Sequence, residues 1–103
     1  MRSSAKRRSG RSDDGVEMYA RKEGWLAAHV GQELVMMSAA SGAYLGLNEV
    51  GARVWELIDT PMAVPQICAA LAEEFETTPD ACQAEVEAFL SELETRGAVV
   101  KNN

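Results

Sequence analysis

The sequence predicts a small α+β domain in which a three-stranded antiparallel sheet precedes three helices. Three observations predict this order. Apolar residues alternate on both sides of Gly31-Gln32, which indicates a β-hairpin. The spacing of apolar residues becomes helical directly after Asn48, and Thr78-Pro79 opens a further long helical stripe. With 103 residues, the chain is long enough for one domain with one modest core.

Charge divides the chain into a basic tail and an acidic body. Residues 1–15 are rich in Ser, Gly and Arg and carry five basic against two acidic groups, so we expect a disordered tail of net charge +3. Residues 16–103 form the predicted domain and hold five basic and fourteen acidic groups, a net charge of −9. Such a body repels nucleic acid, because binding to phosphates requires basic side chains. It favours a basic or apolar partner.

The cellular compartment is predicted from the absence of membrane-spanning, export and disulfide signals in the sequence. No apolar run approaches the roughly 20 residues that a membrane-spanning helix needs. The basic N-terminus is not followed by the apolar segment of a signal peptide. Two cysteines, Cys68 and Cys82, are too few for a disulfide scaffold and fit a reducing environment. We therefore expect a cytoplasmic protein without a membrane partner.

The first half of the domain is predicted to be a three-stranded meander over residues 25–30, 33–38 and 43–47. Glycine at the first position of the Gly31-Gln32 loop suits a type II′ turn. In the resulting register one face carries Trp25, Ala27, His29, Leu34, Met36, Leu45 and Leu47. The other face carries Leu26, Ala28, Val30, Val35, Met37, Tyr44 and Gly46. We expect the first face to cover the core, and the outer strand edges to remain unpaired.

The second half is predicted to be three helices, over about 49–58, 64–75 and 79–96. Asn48 caps the first helix, and Thr78 with Pro79 begins the third, which Gly97 ends. The predicted core stripe of the first helix is Val50, Val54, Leu57 and Ile58. That of the second is Ile67, Cys68, Leu71 and Phe75. That of the third is Cys82, Val86, Phe89, Leu90 and Leu93.

No pattern in the sequence points to catalysis, a cofactor or a metal. His29 is the only histidine and lies on a predicted strand, and neither cysteine has a reactive context, so we expect no nucleophile–base triad. Cys68 and Cys82 lack CxxC spacing and occupy helix core positions, where small buried thiols are common. The glycines are too scattered for a phosphate-binding loop. We interpret the carboxylates of the last helix as its solvated face and expect no enzyme and no cofactor.

Two non-catalytic functions fit this order of elements. Two helices joined by a short turn and packed on a small sheet resemble a winged-helix DNA binder. The last helix nevertheless carries five carboxylates against Arg96 alone, whereas a recognition helix is basic or rich in amides. The alternative is the open edge of the strand over residues 43–47, where an extended peptide can pair as a further strand.

One ordered combination of residues resembles a known family. Tyr44-Leu45-Gly46-Leu47-Asn48, then Gly51, then Val54-Trp55-Glu56-Leu57-Ile58-Asp59, is similar to the signature of the PqqD-like family. The similarity continues through Val64-Pro65-Gln66-Ile67 to Gly97-Ala98-Val99 and covers roughly residues 25–100. Members are RiPP recognition elements, which bind leader peptides of ribosomally made, modified peptides.

The resemblance implies a winged helix-turn-helix-like unit without catalysis, in which the leader pairs with the third strand of the meander and lies against the third helix. Carried over to this chain, the peptide-binding residues are Ala43, Tyr44, Leu45, Gly46, Leu47, Glu85, Ala88, Phe89 and Glu92. The implied partners are a precursor leader peptide and either a leader peptidase of lasso-peptide biosynthesis or a radical SAM enzyme, as for a PQQ-type chaperone. We expect no DNA partner, and a monomer or weak dimer.

Overall fold

The structure is a computed structural model that describes residues 17–102, and the predicted basic tail over residues 1–15 lies outside them. The described residues form five strands and three helices. In chain order these are β1 (Met18–Arg21), β2 (Trp25–Val30), β3 (Glu33–Ser38), β4 (Tyr44–Leu47), α1 (Glu49–Leu57), α2 (Val64–Glu74), α3 (Pro79–Thr95) and β5 (Val99–Asn102). The α+β class and the order of a three-stranded meander before three helices are confirmed.

The meander has the predicted register, and the predicted core face is covered along β3 and β4 but exposed at Ala27 and His29 of β2. Strand β3 lies between β2 and β4, and all three are antiparallel. Gly31 has a φ of +64°, as the first loop position of a type II′ turn requires. Leu34 faces Leu47 and Met36 faces Leu45 on the core side, where Met36 is fully buried. Ser38 also lies on this face, and its buried hydroxyl accepts from the Ser41 amide at 3.2 Å.

Helix α1 packs beneath the sheet, but its buried stripe differs from the predicted one. The Asn48 side-chain oxygen accepts a hydrogen bond from the Gly51 amide at 2.8 Å, which confirms the predicted N-cap. Val50, predicted to be buried, is 40 % exposed. The buried residues of α1 are Gly51, Ala52, Val54 and Trp55. Two positions of the predicted stripe, Val54 and Ile58, are thus buried, and Leu57 is half-buried. Phe89 of α3 packs directly on Gly51, a position outside the predicted stripe.

Helices α2 and α3 pack against each other, and α2 also contacts α1. Pro65 lies in the first turn of α2, and its core side consists of Val64, Ile67, Cys68 and Leu71. The Thr78 hydroxyl accepts from the Ala81 amide at 3.2 Å, so α3 begins as predicted. Its last turn closes at Gly97, whose φ is +81°, and Cys82, Val86, Leu90 and Leu93 are buried. None of the helices in residues 17–102 is long and apolar enough to cross a membrane.

The two ends of the described chain pair with each other, which the sequence did not predict. Strands β1 and β5 form a separate antiparallel pair from Met18–Asn102 to Arg21–Val99. Tyr19 is buried there and exchanges two main-chain hydrogen bonds with Met62, at 2.8 and 3.0 Å. The Arg21 guanidinium lies 4.9 Å above the Trp55 ring. These contacts fasten β1 and β5 to the helical layer.

Candidate peptide-binding groove

Strand β4 is an edge strand whose outer side is unpaired among residues 17–102. The amide of Ser38 donates to the carbonyl of Ala43 at 2.8 Å, so these two residues are joined across β3 and β4. Because such pairs alternate along an antiparallel ladder, Leu45 and Leu47 also bond to β3. The main-chain groups of Tyr44 and Gly46 therefore point away from the sheet. They are the groups to which an added strand would bond.

A narrow cavity of about 240 Å³ separates this edge from helix α3. Leu45, Gly46 and Leu47 form one wall, with Asn48 at the end of the strand. Phe89, Glu92 and Leu93 of α3 form the opposite wall. A peptide that pairs with β4 would thus have one of its faces against α3.

A second cavity, of about 420 Å³, continues between α1 and α3. Asn48 and Phe89 line both cavities, so the Phe89 ring stands between them. A Cβ at Gly51 would lie 3.1 Å from Cζ of Phe89, closer than ordinary contact allows. The lining of the second cavity is Asn48, Val50, Gly51, Val54, Cys82, Glu85, Val86, Ala88 and Phe89. Together the two cavities form a mostly apolar groove along α3, with β4 beside one part and α1 beside the other.

Most of the residues predicted to bind peptide lie in this groove. Leu45, Gly46, Leu47, Phe89 and Glu92 surround the smaller cavity, and Glu85 and Ala88 line the larger one. Ala43 and Tyr44 line neither cavity, and the Tyr44 side chain lies on the opposite face of the sheet. Tyr44 can still contact a peptide through its outward main-chain groups, and this assignment stays a prediction. The assignment of Ala43 also stays a prediction, although its carbonyl accepts from Ser38 and therefore points towards β3.

The sequence did not identify the α1 side of the groove. Asn48 was predicted to be a cap, Val50 and Val54 to be core residues, and Gly51 to be part of the family signature. Cys82, Val86 and Leu93 were predicted to lie in the core of the third helix. One signal was available in the sequence. The first helix begins with Val50 and Gly51, and these small residues at the start of an apolar helix offer a shallow surface. Its meaning depended on where Phe89 would lie.

The charges that line the groove are acidic. Glu85 and Glu92 are exposed, and a carboxylate oxygen of Glu92 lies 3.3 Å from the Arg96 guanidinium. No basic side chain of the described residues lines either cavity. An extended peptide with apolar side chains and a basic rather than acidic character is the ligand that such a groove favours.

The surroundings of His29 and of the two cysteines are those of structural residues. His29 is exposed, with its Nε2 3.3 Å from Glu56. Cys68 and Cys82 are both buried, and burial together with the neighbouring Cys82 raises the pKa of the Cys68 thiol to about 11. Such a thiol is protonated and unreactive at neutral pH. Within residues 17–102, no three acidic, Cys or His side chains converge as a metal site would require.

Comparisons with known proteins agree with this fold. The family model described as coenzyme PQQ synthesis protein D (PqqD) matches residues 33–99, which include β4, α1 and α3. A solved structure of TbiB1 in complex with the TbiA(beta) leader peptide has a TM-score of 0.70 at 24 % identity, over 78 % of this chain and 93 % of that chain. A structure of lasso peptide synthetase B1 complexed with the leader peptide has a TM-score of 0.70 at 17 % identity, over 80 % and 96 %. No curated protein gives a significant match.

Proposed function

Because this chain belongs to the family of coenzyme PQQ synthesis protein D, we propose that it is a recognition element for the leader of a ribosomally synthesised precursor peptide. The leader binds as an added strand on β4 and is delivered to the enzyme that acts on it. The protein itself supplies no catalytic group. Binding takes place in the cytoplasm, where the precursor is made.

One observation carries this proposal, namely the open β4 edge beside an apolar groove. The outward main-chain groups of Tyr44 and Gly46 supply sequence-independent hydrogen bonds. The groove beside α3 supplies selectivity, because alternate side chains of an added strand point towards Leu45, Phe89 and Leu93. Both contributions are needed for a module that selects one peptide.

Lasso-peptide biosynthesis is the pathway class that we favour, with a leader peptidase as the partner enzyme. Support comes from the likeness in fold to TbiB1 and to lasso peptide synthetase B1, both of which were solved with leader peptides. The alternative is a chaperone for a radical SAM enzyme in PQQ synthesis, which the family's description favours. The two alternatives share the same groove and differ in the enzyme that receives the leader.

Charge argues against the winged-helix alternative of nucleic-acid binding. Residues 16–103 carry a net charge of −9, and the only basic residue of the α3 region, Arg96, is engaged with Glu92. We therefore expect no salt-sensitive binding to duplex DNA. A fluorescence titration with DNA at two salt concentrations measures this.

A proline at position 46 tests the edge directly. The Gly46 amide points outward, so Gly46→Pro leaves the bonds to β3 intact, as prolines on edge strands do. It removes one donor to the leader. We expect the affinity for a synthetic leader, chosen among candidate precursors as the one that the unchanged protein binds most tightly, to fall about tenfold. Fluorescence anisotropy measures the dissociation constant.

Gly46→Ala is the matched control, because a Cβ at this position meets no atom within 4 Å. It should bind the leader as the unchanged protein does. A folded Gly46→Pro variant with unchanged affinity would contradict strand addition at β4. The absence of leader binding by the unchanged protein would contradict the whole proposal.

A further inference from the structure

The edge of β4 lacks the features that normally protect an exposed strand edge. Proteins protect such edges with charged residues, prolines, bulges or a covering segment, because an open edge pairs readily with other chains. Strand β4 reads Tyr44-Leu45-Gly46-Leu47 and contains neither a charged residue nor a proline. Its pairing with β3 is regular over these four residues, without a bulge. Of the four kinds of protection, only a covering segment is left for the empty protein.

Residues 1–15 have the charge that fits this edge. They carry a net charge of +3, against −9 for residues 16–103. The exposed carboxylates of Glu85 and Glu92 border the groove beside β4, and no basic side chain of the described residues lines it. The other edge strand of the meander, β2, lies beside Arg21 and Lys22. A basic segment is therefore attracted to β4 rather than to β2.

The same segment is long enough to reach the groove. Burial raises the pKa of Tyr19, and the carboxylates of Glu87 and Glu94 act in the same direction, so the start of β1 lies near α3. The groove lies on the opposite side of this helix, whose diameter is about 12 Å. The basic run Lys6-Arg7-Arg8 ends nine residues before Glu17. Nine extended residues span roughly 30 Å, which is enough to pass around a helix.

The composition of the segment makes it a weak and replaceable cover. Residues 1–15 contain no proline, so every main-chain amide can donate to an edge strand. Met1 and Ala5 are their only apolar residues. The segment can thus bond to the main chain of β4 and to the carboxylates at the rim, but it leaves the apolar groove largely unfilled. A leader with apolar side chains fills the groove and gains the additional burial.

We propose that residues 1–15 pair with the β4 edge of their own chain in the empty protein and are displaced by the leader. This inference rests on the proposed function, in which the leader pairs with the same edge. A tethered segment competes at an effective concentration in the millimolar range. Basic peptides without apolar side chains are therefore excluded from the edge, and a leader that fills the groove is admitted.

The cost of this selection is a modest loss of affinity for the leader. If the segment covers the edge for about two-thirds of the time, the apparent affinity for the leader is about threefold lower than that of an open edge. The same occupancy changes the free energy of unfolding by less than a urea titration resolves.

A spin label attached at Ala5→Cys locates the segment in the full chain. Cys68 and Cys82 are buried, so the labelling reagent reacts selectively at position 5. We expect the amide signals of Tyr44 and Gly46 to lose at least about half of their intensity in the empty protein. They should recover when the synthetic leader is added to saturation. They should also recover in 1 M salt, where charges are screened beyond about 3 Å.

The double variant Ser4→Pro, Ser9→Pro tests strand pairing without changing any charge. The two positions are five residues apart, so in either register one proline removes an amide that would bond to β4. We expect this variant to bind the leader about threefold more tightly than the unchanged protein. Ser4→Ala, Ser9→Ala is the matched control and should bind the leader as the unchanged protein does. Fluorescence anisotropy measures these affinities.

Three results would overturn the proposal. The first is a loss of intensity that is strongest around Glu87, on the outer side of α3, or that is equal over the whole domain. The second is equal leader affinity of the proline and alanine variants. The third comes from a mixture of spin-labelled chains with isotope-labelled chains that carry no spin label. Loss of the Tyr44 signal in this mixture would show that the segment covers the edge of a second copy.

Failure of the proposed function gives a different result. If the unchanged protein does not bind the leader, the proposed function is refuted. The intensities of Tyr44 and Gly46 in the empty protein still show whether residues 1–15 cover the edge, because that measurement needs no leader.

Discussion

At the scale of single residues, the contact between Gly51 and Phe89 sets the shape of the groove. The Phe89 ring lies against Gly51 on one side and lines both cavities. The absence of a side chain at Gly51 lets the ring approach the start of α1. This glycine has an ordinary helical backbone, so packing rather than backbone conformation is the reason for it.

Gly51→Ala should therefore affect binding more than stability. The added methyl group would lie 3.1 Å from Cζ of Phe89, so the half-buried ring must move within the groove. Alanine gains up to about 1 kcal/mol of helix propensity, which offsets part of the clash. We expect leader affinity to fall about tenfold and the melting temperature to change by a few degrees. Anisotropy and calorimetry measure the two quantities.

The double variant Gly51→Ala, Phe89→Leu is the control for this prediction. The smaller leucine leaves room for the new methyl group, so adding Gly51→Ala to Phe89→Leu should cost much less affinity than it does in the unchanged protein. Equal losses in the two backgrounds would mean that the ring does not transmit the effect.

At the scale of secondary-structure elements, the junction between β4 and α1 holds the binding edge in place. Asn48 ends the strand, caps the helix through the Gly51 amide and lines both cavities. The edge strand is only four residues long, so its direction depends on how α1 begins. Asn48 therefore contributes both to the stability of the start of α1 and to the geometry of the groove.

Asn48→Ala should lower the free energy of unfolding by about 1 kcal/mol, the usual cost of losing an N-cap side chain. We expect leader affinity to fall as well, because the start of α1 frays beside the bound strand. Urea unfolding and anisotropy provide the measurements. Asn48→Asp keeps an oxygen acceptor for the Gly51 amide and should preserve the stability. If Asn48→Ala binds the leader normally, the cap has no role in the groove.

Element positions were predictable where local chemistry determines them. Gly31-Gln32, Asn48, Thr78-Pro79 and Gly97 each mark a boundary by their own backbone preferences, and the structure places boundaries there. The buried face of α1 was not predictable to the same degree. The apolar spacing identified Val54 and Ile58, which are buried. It gave no sign of the burial of Gly51, which is covered by the ring of Phe89, 38 positions away.

At the scale of the whole molecule, the β1–β5 pair closes the chain. No local signal predicts it, because the paired residues Met18 and Asn102 are separated by nearly the whole sequence. Tyr19 is the main contribution of β1 to the core, with Val99 of β5 buried beside the same cluster. The groove and the meander are formed by other elements, so the β1–β5 pair stabilises the domain without being part of either.

A chain that begins at Lys22 lacks β1 and should be much less stable. Removing Tyr19 alone withdraws a buried aromatic side chain, which costs about 3–5 kcal/mol, a large part of a typical domain's 5–15 kcal/mol. A chain that begins at Val16 is the control and should unfold in urea like the unchanged protein. Equal stability of the two shortened chains would contradict the role assigned to β1.

The same closure has a consequence for synthesis on the ribosome. The hairpins of the meander form between neighbours in sequence, so they can assemble while translation continues. Strand β1 must wait, since its partner β5 emerges only after α3 has left the exit tunnel. Until then Tyr19 has no Val99 to pack with, and the nascent chain carries an unpaired strand next to its basic tail. Folding of the domain can therefore be complete only after β5 has emerged.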